Sequence, residues 1–208
     1  MDHLQQLITR YPLLESVAGS IELAYKIIFE SFRKGGKLLI AGNGGSASDA
    51  EHIVGELMKG FIKKRILPEN FIKTISEINE NAAAYLVPRL QPGLSAIALT
   101  GHISLNTACI NDIDGDITFA QQVYGYGKED DVFLGISTSG NANNVFYASI
   151  VARAKKLKVI SLTGGNGGKL KNVSDVSIIA PETETYKIQE LHLPIYHCLC
   201  IMIEESFF

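Results

Sequence analysis

The sequence predicts an α/β protein: a three-layer α/β/α sandwich with a five-stranded parallel sheet, a long N-terminal helical segment and a helical insertion after the first strand–helix unit. Three observations predict it. A short β-rich run, a Gly/Ser/Thr/Asn loop and a helix-like stretch recur three times along the 208 residues. The β-rich runs are continuously apolar, as in strands covered on both faces. Helix-length stretches separate them, as parallel crossovers require. The chain is near the size of one large domain, and a single domain over 1–208 is expected.

From Asp2 to about Lys34, apolar residues recur at helical spacing (Leu13, Leu14, Val17, Ile21, Ala24, Ile27, Ile28, Phe32), with Pro12 an early break and Gly35-Gly36 a stop. Residues 1–34 are therefore the helical N-terminal segment. The first strand, Lys37–Ala41, runs into Gly42-Asn43-Gly44-Gly45-Ser46 and a helix. Lys63, Lys64 and Arg65 precede a segment with Pro68, a helical run from Glu69 to Leu86, and Pro88 and Pro92, so residues 66–93 read as a helical excursion. Ala96–Leu99 is the second strand. Val132–Ile136 enters Ser137-Thr138-Ser139-Gly140-Asn141, and Val159–Leu162 enters Thr163–Gly168, read as a flexible turn. Val176–Ile179 is the fifth strand, and Thr185–Glu205 is helical with Pro194 inside.

The formal net charge of −3 gives no electrostatic footprint for nucleic acid or an anionic membrane. Cys109, Cys198 and Cys200 fit neither a zinc spacing nor a disulfide framework and read as buried thiols in a reducing compartment. Met1–Gln6 lacks a basic region followed by an apolar run, and no uncharged stretch approaches the ~20 residues that span a bilayer. The expected location is cytoplasmic.

The loop 42–46 suits an anion: its glycines let the backbone approach, and the following helix directs unpaired N–H groups at the ligand. A tight turn serving only the topology is the plainer reading. Ser137, Thr138 and Ser139 place three hydroxyls at a strand end, where they can surround phosphate oxygens or merely cap a helix. No Gly-Lys-Ser/Thr is present to make a P-loop. Gly42–Ala47 formally matches a dinucleotide fingerprint, but Lys59–Arg65 stands where an acid is required, so no nucleotide cofactor is expected.

His52 and Glu56 lie four residues apart on one helical face below that loop, spacing that serves acid–base chemistry, a divalent metal or a plain surface pair. On the last helix, Gln189 and His197 are separated by two turns, roughly 12 Å along the axis. One straight helix would hardly bring both to one ion; a bend at Pro194 or a site shared between subunits would.

Taken together, Gly42–Ser46, His52, Glu56, Asn111-Asp112, Gly135–Asn141, Leu162-Thr163-Gly164, Gly167-Gly168-Lys169, Ile188-Gln189-Glu190 and His197 resemble the phosphoheptose isomerases of the SIS (sugar isomerase) domain superfamily, in the same order. The resemblance implies a flavodoxin-like sheet, a phosphorylated sugar as partner, a homotetramer with active sites at subunit interfaces, and aldose–ketose isomerisation of sedoheptulose 7-phosphate through an enediol. It implies Glu56 and His197 as the acid–base pair. Substrate contacts would come from Asn43, Gly44, Ser46, Asn111, Asp112, Ser137, Thr138, Ser139 and Gln189. Some members carry zinc, and His52, Glu56, Gln189 and His197 match those ligand positions. The chain has Gly60, Ala142 and Tyr186 where the family usually has Arg, Ser and Asp. An isomerase of another sugar phosphate and a non-catalytic SIS module are the alternatives.

Overall fold

The computed structural model describes residues 3–208, so Met1 and Asp2, at the head of the expected N-terminal segment, lie outside the described residues. That segment forms α1 (His3–Arg10) and α2 (Ala18–Arg33), parted by a 3₁₀ turn over Pro12–Val17. Proline's fixed φ and missing N–H suit the first position of such a turn, where Pro12 stands. Then come β1 (Leu38–Ala41), α3 (Gly45–Met58), α4 (Glu69–Ile78), α5 (Glu80–Leu86) and β2 (Ala96–Ala98). The remaining elements are α6 (Ile103–Asp112), α7 (Thr118–Tyr126), β3 (Val132–Ile136), α8 (Asn143–Ala154), β4 (Lys158–Gly164), β5 (Val176–Ala180) and α9 (Thr185–Phe207).

The five strands pair in parallel in the order β2-β1-β3-β4-β5. Every residue of β1 and β3 is buried, which is why those runs carry no polar alternation. Alternate side chains serve opposite faces. Leu38, Ile40, Leu134 and Ile160 pack with Ile28 of α2, Ile53 and Leu57 of α3, and Ile195 and Leu199 of α9. Leu39, Phe133 and Val159 pack on the other side with Val123 of α7 and Val145 and Ala148 of α8. The strand order reverses at β1 and β3, so the loops after these two strands flank the crevice where ligands of such sheets bind.

The excursion differs from the single run expected. Asn79 divides it: its Oδ1 accepts from the Ala82 amide (2.8 Å) and caps α5. No residue of α4 is buried, and Ala83 alone is buried in α5. Among the described residues, no helix is long and apolar enough to cross a membrane.

Candidate active site

Two strand-end loops form one end of the site. Ser46 and Ser137 are buried there, and Ser139 is exposed. Asn43 Nδ2 donates to Asn144 Oδ1 (2.9 Å) and Asn144 Nδ2 donates back to Asn43 Oδ1 (2.9 Å), tying the loop after β1 to the first turn of α8. The Thr163–Gly168 segment is a brace for the loop 137–141, where the sequence suggested a flexible turn. The Gly164 amide donates to the Thr138 carbonyl (2.9 Å), the Leu170 amide to the Gly140 carbonyl (3.1 Å), and the Lys169 amide to Asn141 Oδ1 (3.2 Å). Gly140, at φ +66°, sits so close to Gly167 and Gly168 that a Cβ would collide with their backbone.

Gln189 reaches this end from α9; a Cβ on Gly45 would come within 2.5 Å of its Nε2. Asn111 and Asp112 are exposed at the end of α6 and bond to each other (2.8 Å). Among the described residues no hydrogen bond joins them to the strand-end loops.

Farther down α3 and α9 lie the residues expected to form the acid–base pair. His52 Nε2 is 3.1 Å from Glu56 Oε1 and 3.4 Å from His197 Nε2, and the His52 and His197 rings meet edge to face at 5.0 Å. Glu56 is largely sheltered, its side chain 13% exposed against 42% for His52. Burial, then the neighbouring His52, lowers the His197 pKa, with Glu56 acting in the opposite sense. Behind them the buried Tyr196 hydroxyl donates to Asp49 Oδ1 (3.1 Å) and lies 3.0 Å from His52 Nδ1. Burial and the Asp49 carboxylate push the phenol well above its usual range, so it keeps its proton; burial likewise raises Asp49, partly offset by this hydrogen bond. Beside His197, a cleft of about 440 Å³ opens between α1 and α9, lined by Gln6, Arg10, Tyr11 and Phe61.

A buried ion pair holds this region together. Arg65 and Glu204 are 3.0 Å apart with side chains wholly enclosed. Arg65 donates to the carbonyls of Glu56 (3.1 Å), Leu57 (2.7 Å) and Pro92 (3.1 Å), while Glu204 accepts from the amides of Phe61, Ile62 and Lys63. Burial alone would raise Glu204; those amides and Arg65 outweigh it and hold the carboxyl low. Thus α9 is fastened to the last turn of α3 at the carbonyls of Glu56 and Leu57. Gly60 also has a physical reason here: a Cβ would strike the Lys63 carbonyl and the Gln91 side chain, whose Oε1 accepts the Gly60 amide (3.0 Å). Lys63 and Gln91 together exclude any side chain from that position, and Lys59 extends beside Glu56, its Nζ 3.4 Å from Oε2.

The four positions matched to zinc ligands divide. His52, Glu56 and His197 gather, whereas Gln189 lies over Gly45. Among the described residues, no group of three or more His, Cys, Asp or Glu side chains is disposed to hold a metal ion. Imidazole and carboxylate are donors zinc accepts, but in this arrangement the four do not make one coordination sphere.

Sequence reasoning missed Asp49, Tyr196, Arg65 and Glu204. Asp49, His52 and Glu56 do share a helical face, at i, i+3 and i+7, a signal open to reading. Arg65 and Glu204 are 139 residues apart, and no local pattern links them.

The SIS domain family pattern matches residues 2–85 and 75–164. The phosphoheptose isomerase of Leptospira biflexa is 38% identical over 196 residues, covering 94% of this chain and 88% of that one. Among solved structures, phosphoheptose isomerase GmhA from Neisseria gonorrhoeae superposes with a TM-score of 0.76 at 30% identity, over 98% of this chain and 95% of that one. The phosphoheptose isomerase from Francisella tularensis gives 0.78 at 32% identity, over 97% and 94%. With fold, loop order and sequence in agreement over nearly its whole length, this chain belongs to the phosphoheptose isomerase family of SIS domain proteins.

Proposed function

We propose that this protein is a sugar-phosphate isomerase that interconverts sedoheptulose 7-phosphate and D-glycero-D-manno-heptose 7-phosphate. The observation that carries the reading is the packing of a sheltered carboxylate, Glu56, with two imidazoles, His52 and His197. Converting ketose to aldose requires a base to remove a proton from C1 while an acid protonates the C2 oxygen, giving an enediol. The base then returns its proton to C2 as the O1 proton is withdrawn, leaving the aldehyde at C1. Glu56 is the carbon base in this reading, and His197 moves protons at the two oxygens. Burial and the neighbouring His52 lower its pKa, which favours the neutral imidazole.

The phosphate is assigned to Ser46, Ser137, Thr138 and Ser139 with the first-turn amides of α3 and α8, and Asn43, Gly44 and Gln189 line the same end. Asn111 and Asp112 are assigned to the sugar on family resemblance. From Gly45 to Glu56 the helix rises about 16 Å, farther than an extended seven-carbon phosphate reaches from the first turn. This separation supports a homotetramer whose sites combine the loop end of one subunit with the acid–base end of another.

The test is turnover of sedoheptulose 7-phosphate with the aldose identified by mass and NMR. Wild-type protein should isomerise it, and Glu56→Gln and His197→Ala should each lower kcat by about a hundredfold to ten-thousandfold. Binding without turnover by the wild type would overturn the reading.

A further inference from the structure

The cleft between α1 and α9 opens beside His197, and its walls are of two kinds. Gln6 and Arg10 stand one turn apart on α1, both exposed, while Leu7 of the same helix is buried in the core. They give the cleft an amide and a guanidinium. Tyr11, Phe61 and Leu193 supply apolar surface, and the Phe61 ring centre lies 5.3 Å from that of His197. At about 440 Å³ the cleft falls within the roughly 300–1,000 Å³ of small-molecule sites, which combine apolar walls with a few placed polar groups.

Arg10 is the arginine without an acceptor. Arg33, Arg65 and Arg153 each meet an acid, and Arg89 donates to the Tyr85 carbonyl. The Arg10 guanidinium lies over the Tyr11 ring, 5.3 Å from its centre, and among the described residues no carboxylate or carbonyl accepts from it. A guanidinium stacked on one face keeps N–H groups along its edge, directed outward in its plane. Sugar hydroxyls are acceptors for such donors, and the C–H faces of a polyol suit the aromatic wall.

We propose that this cleft receives the hydroxylated carbons next to the reacting pair, and that Arg10 is a substrate-binding residue there, donating to sugar hydroxyls with Gln6 beside it. The proposal rests on the isomerase reading above and deepens it: the phosphate is held at the strand-end loops, so the part of the substrate that reaches His197 is the sugar, and α1 supplies the donors that recognise it.

Arg10 is exposed, so replacing it leaves the core untouched. Arg10→Gln should raise KM for sedoheptulose 7-phosphate by about tenfold or more, with the larger part of the loss in KM rather than kcat, and Arg10→Lys should recover part of it. In the unaltered protein, phenylglyoxal should modify Arg10, as read by mass spectrometry of its peptide. Sedoheptulose 7-phosphate should protect that arginine, and inorganic phosphate at the same concentration should not. A folded Arg10→Gln variant with KM within about twofold of wild type, an Arg10 already unreactive without sugar because another subunit covers the cleft, or equal protection by phosphate would each overturn the proposal. Protection without turnover would sink the isomerase reading and leave a sugar-phosphate site at Arg10. Turnover without protection would keep the isomerase reading and remove the cleft from it, and the absence of both would end the two together.

Discussion

His192 shows how one residue can report on the fold without touching the chemistry. It is fully buried on α9, one turn from Gln189, and its Nε2 donates to the Thr163 carbonyl (3.1 Å) while Nδ1 has no partner among the described residues. Burial lowers its pKa from 6.5 to about 4, with the Thr163 bond acting in the opposite sense. The unfolded chain therefore binds a proton near pH 6.5 that the folded chain refuses until about pH 4. Stability contributed by this residue is complete above that window and declines as pH falls through it, by about 3 kcal/mol in all. Urea titrations at stepped pH should reveal the decline, and His192→Leu should flatten it. The sequence offered His192 only as one histidine among several on a helix, because its burial depends on how α9 meets the sheet. Glu56 and His197, by contrast, were expected as a pair through family resemblance, and helical spacing alone left His52 and Glu56 open to reading as a surface pair.

At the scale of elements, the strands were the most legible part, since continuous apolar runs such as Leu38–Ala41 and Val132–Ile136 follow directly from burial on both faces. Boundaries set by side-chain hydrogen bonds were not. Asn79 ends one helix and caps the next through its side-chain oxygen. The Arg65–Glu204 pair is the least legible and the most consequential, joining the end of α3, the segment 61–65, Pro92 and α9. Removing the carboxylate strands a buried guanidinium and three amides. Glu204→Ala should therefore lose about 3–5 kcal/mol of unfolding free energy in urea. A loss below about 1 kcal/mol would mean that water replaces the carboxylate readily.

For the whole molecule, the sheet order and the two cores explain why one face carries His52, Glu56 and His197: α3 and α9 pack side by side on the first core, while α7 and α8 cover the other. The sequence conveyed that architecture but not the distance between the two ends of the site, which emerges only when loops and helices are placed in one frame. Exposed apolar side chains on and beside α6 (Ile103 76%, Ile110 59%, Ile113 65%) accord with a surface that another subunit covers. Sedimentation equilibrium should return four times the 22.7 kDa chain mass, and a stable monomer with full activity would refute a site assembled between subunits.

The interlocked backbones at Gly140, Gly167 and Gly168 have a bearing on how such an enzyme can diversify. Neither loop can accept a side chain at the contact without pushing the other away, so this junction is closed to gradual substitution. Change in such a scaffold is thus free to proceed around this junction, while the junction itself stays constant.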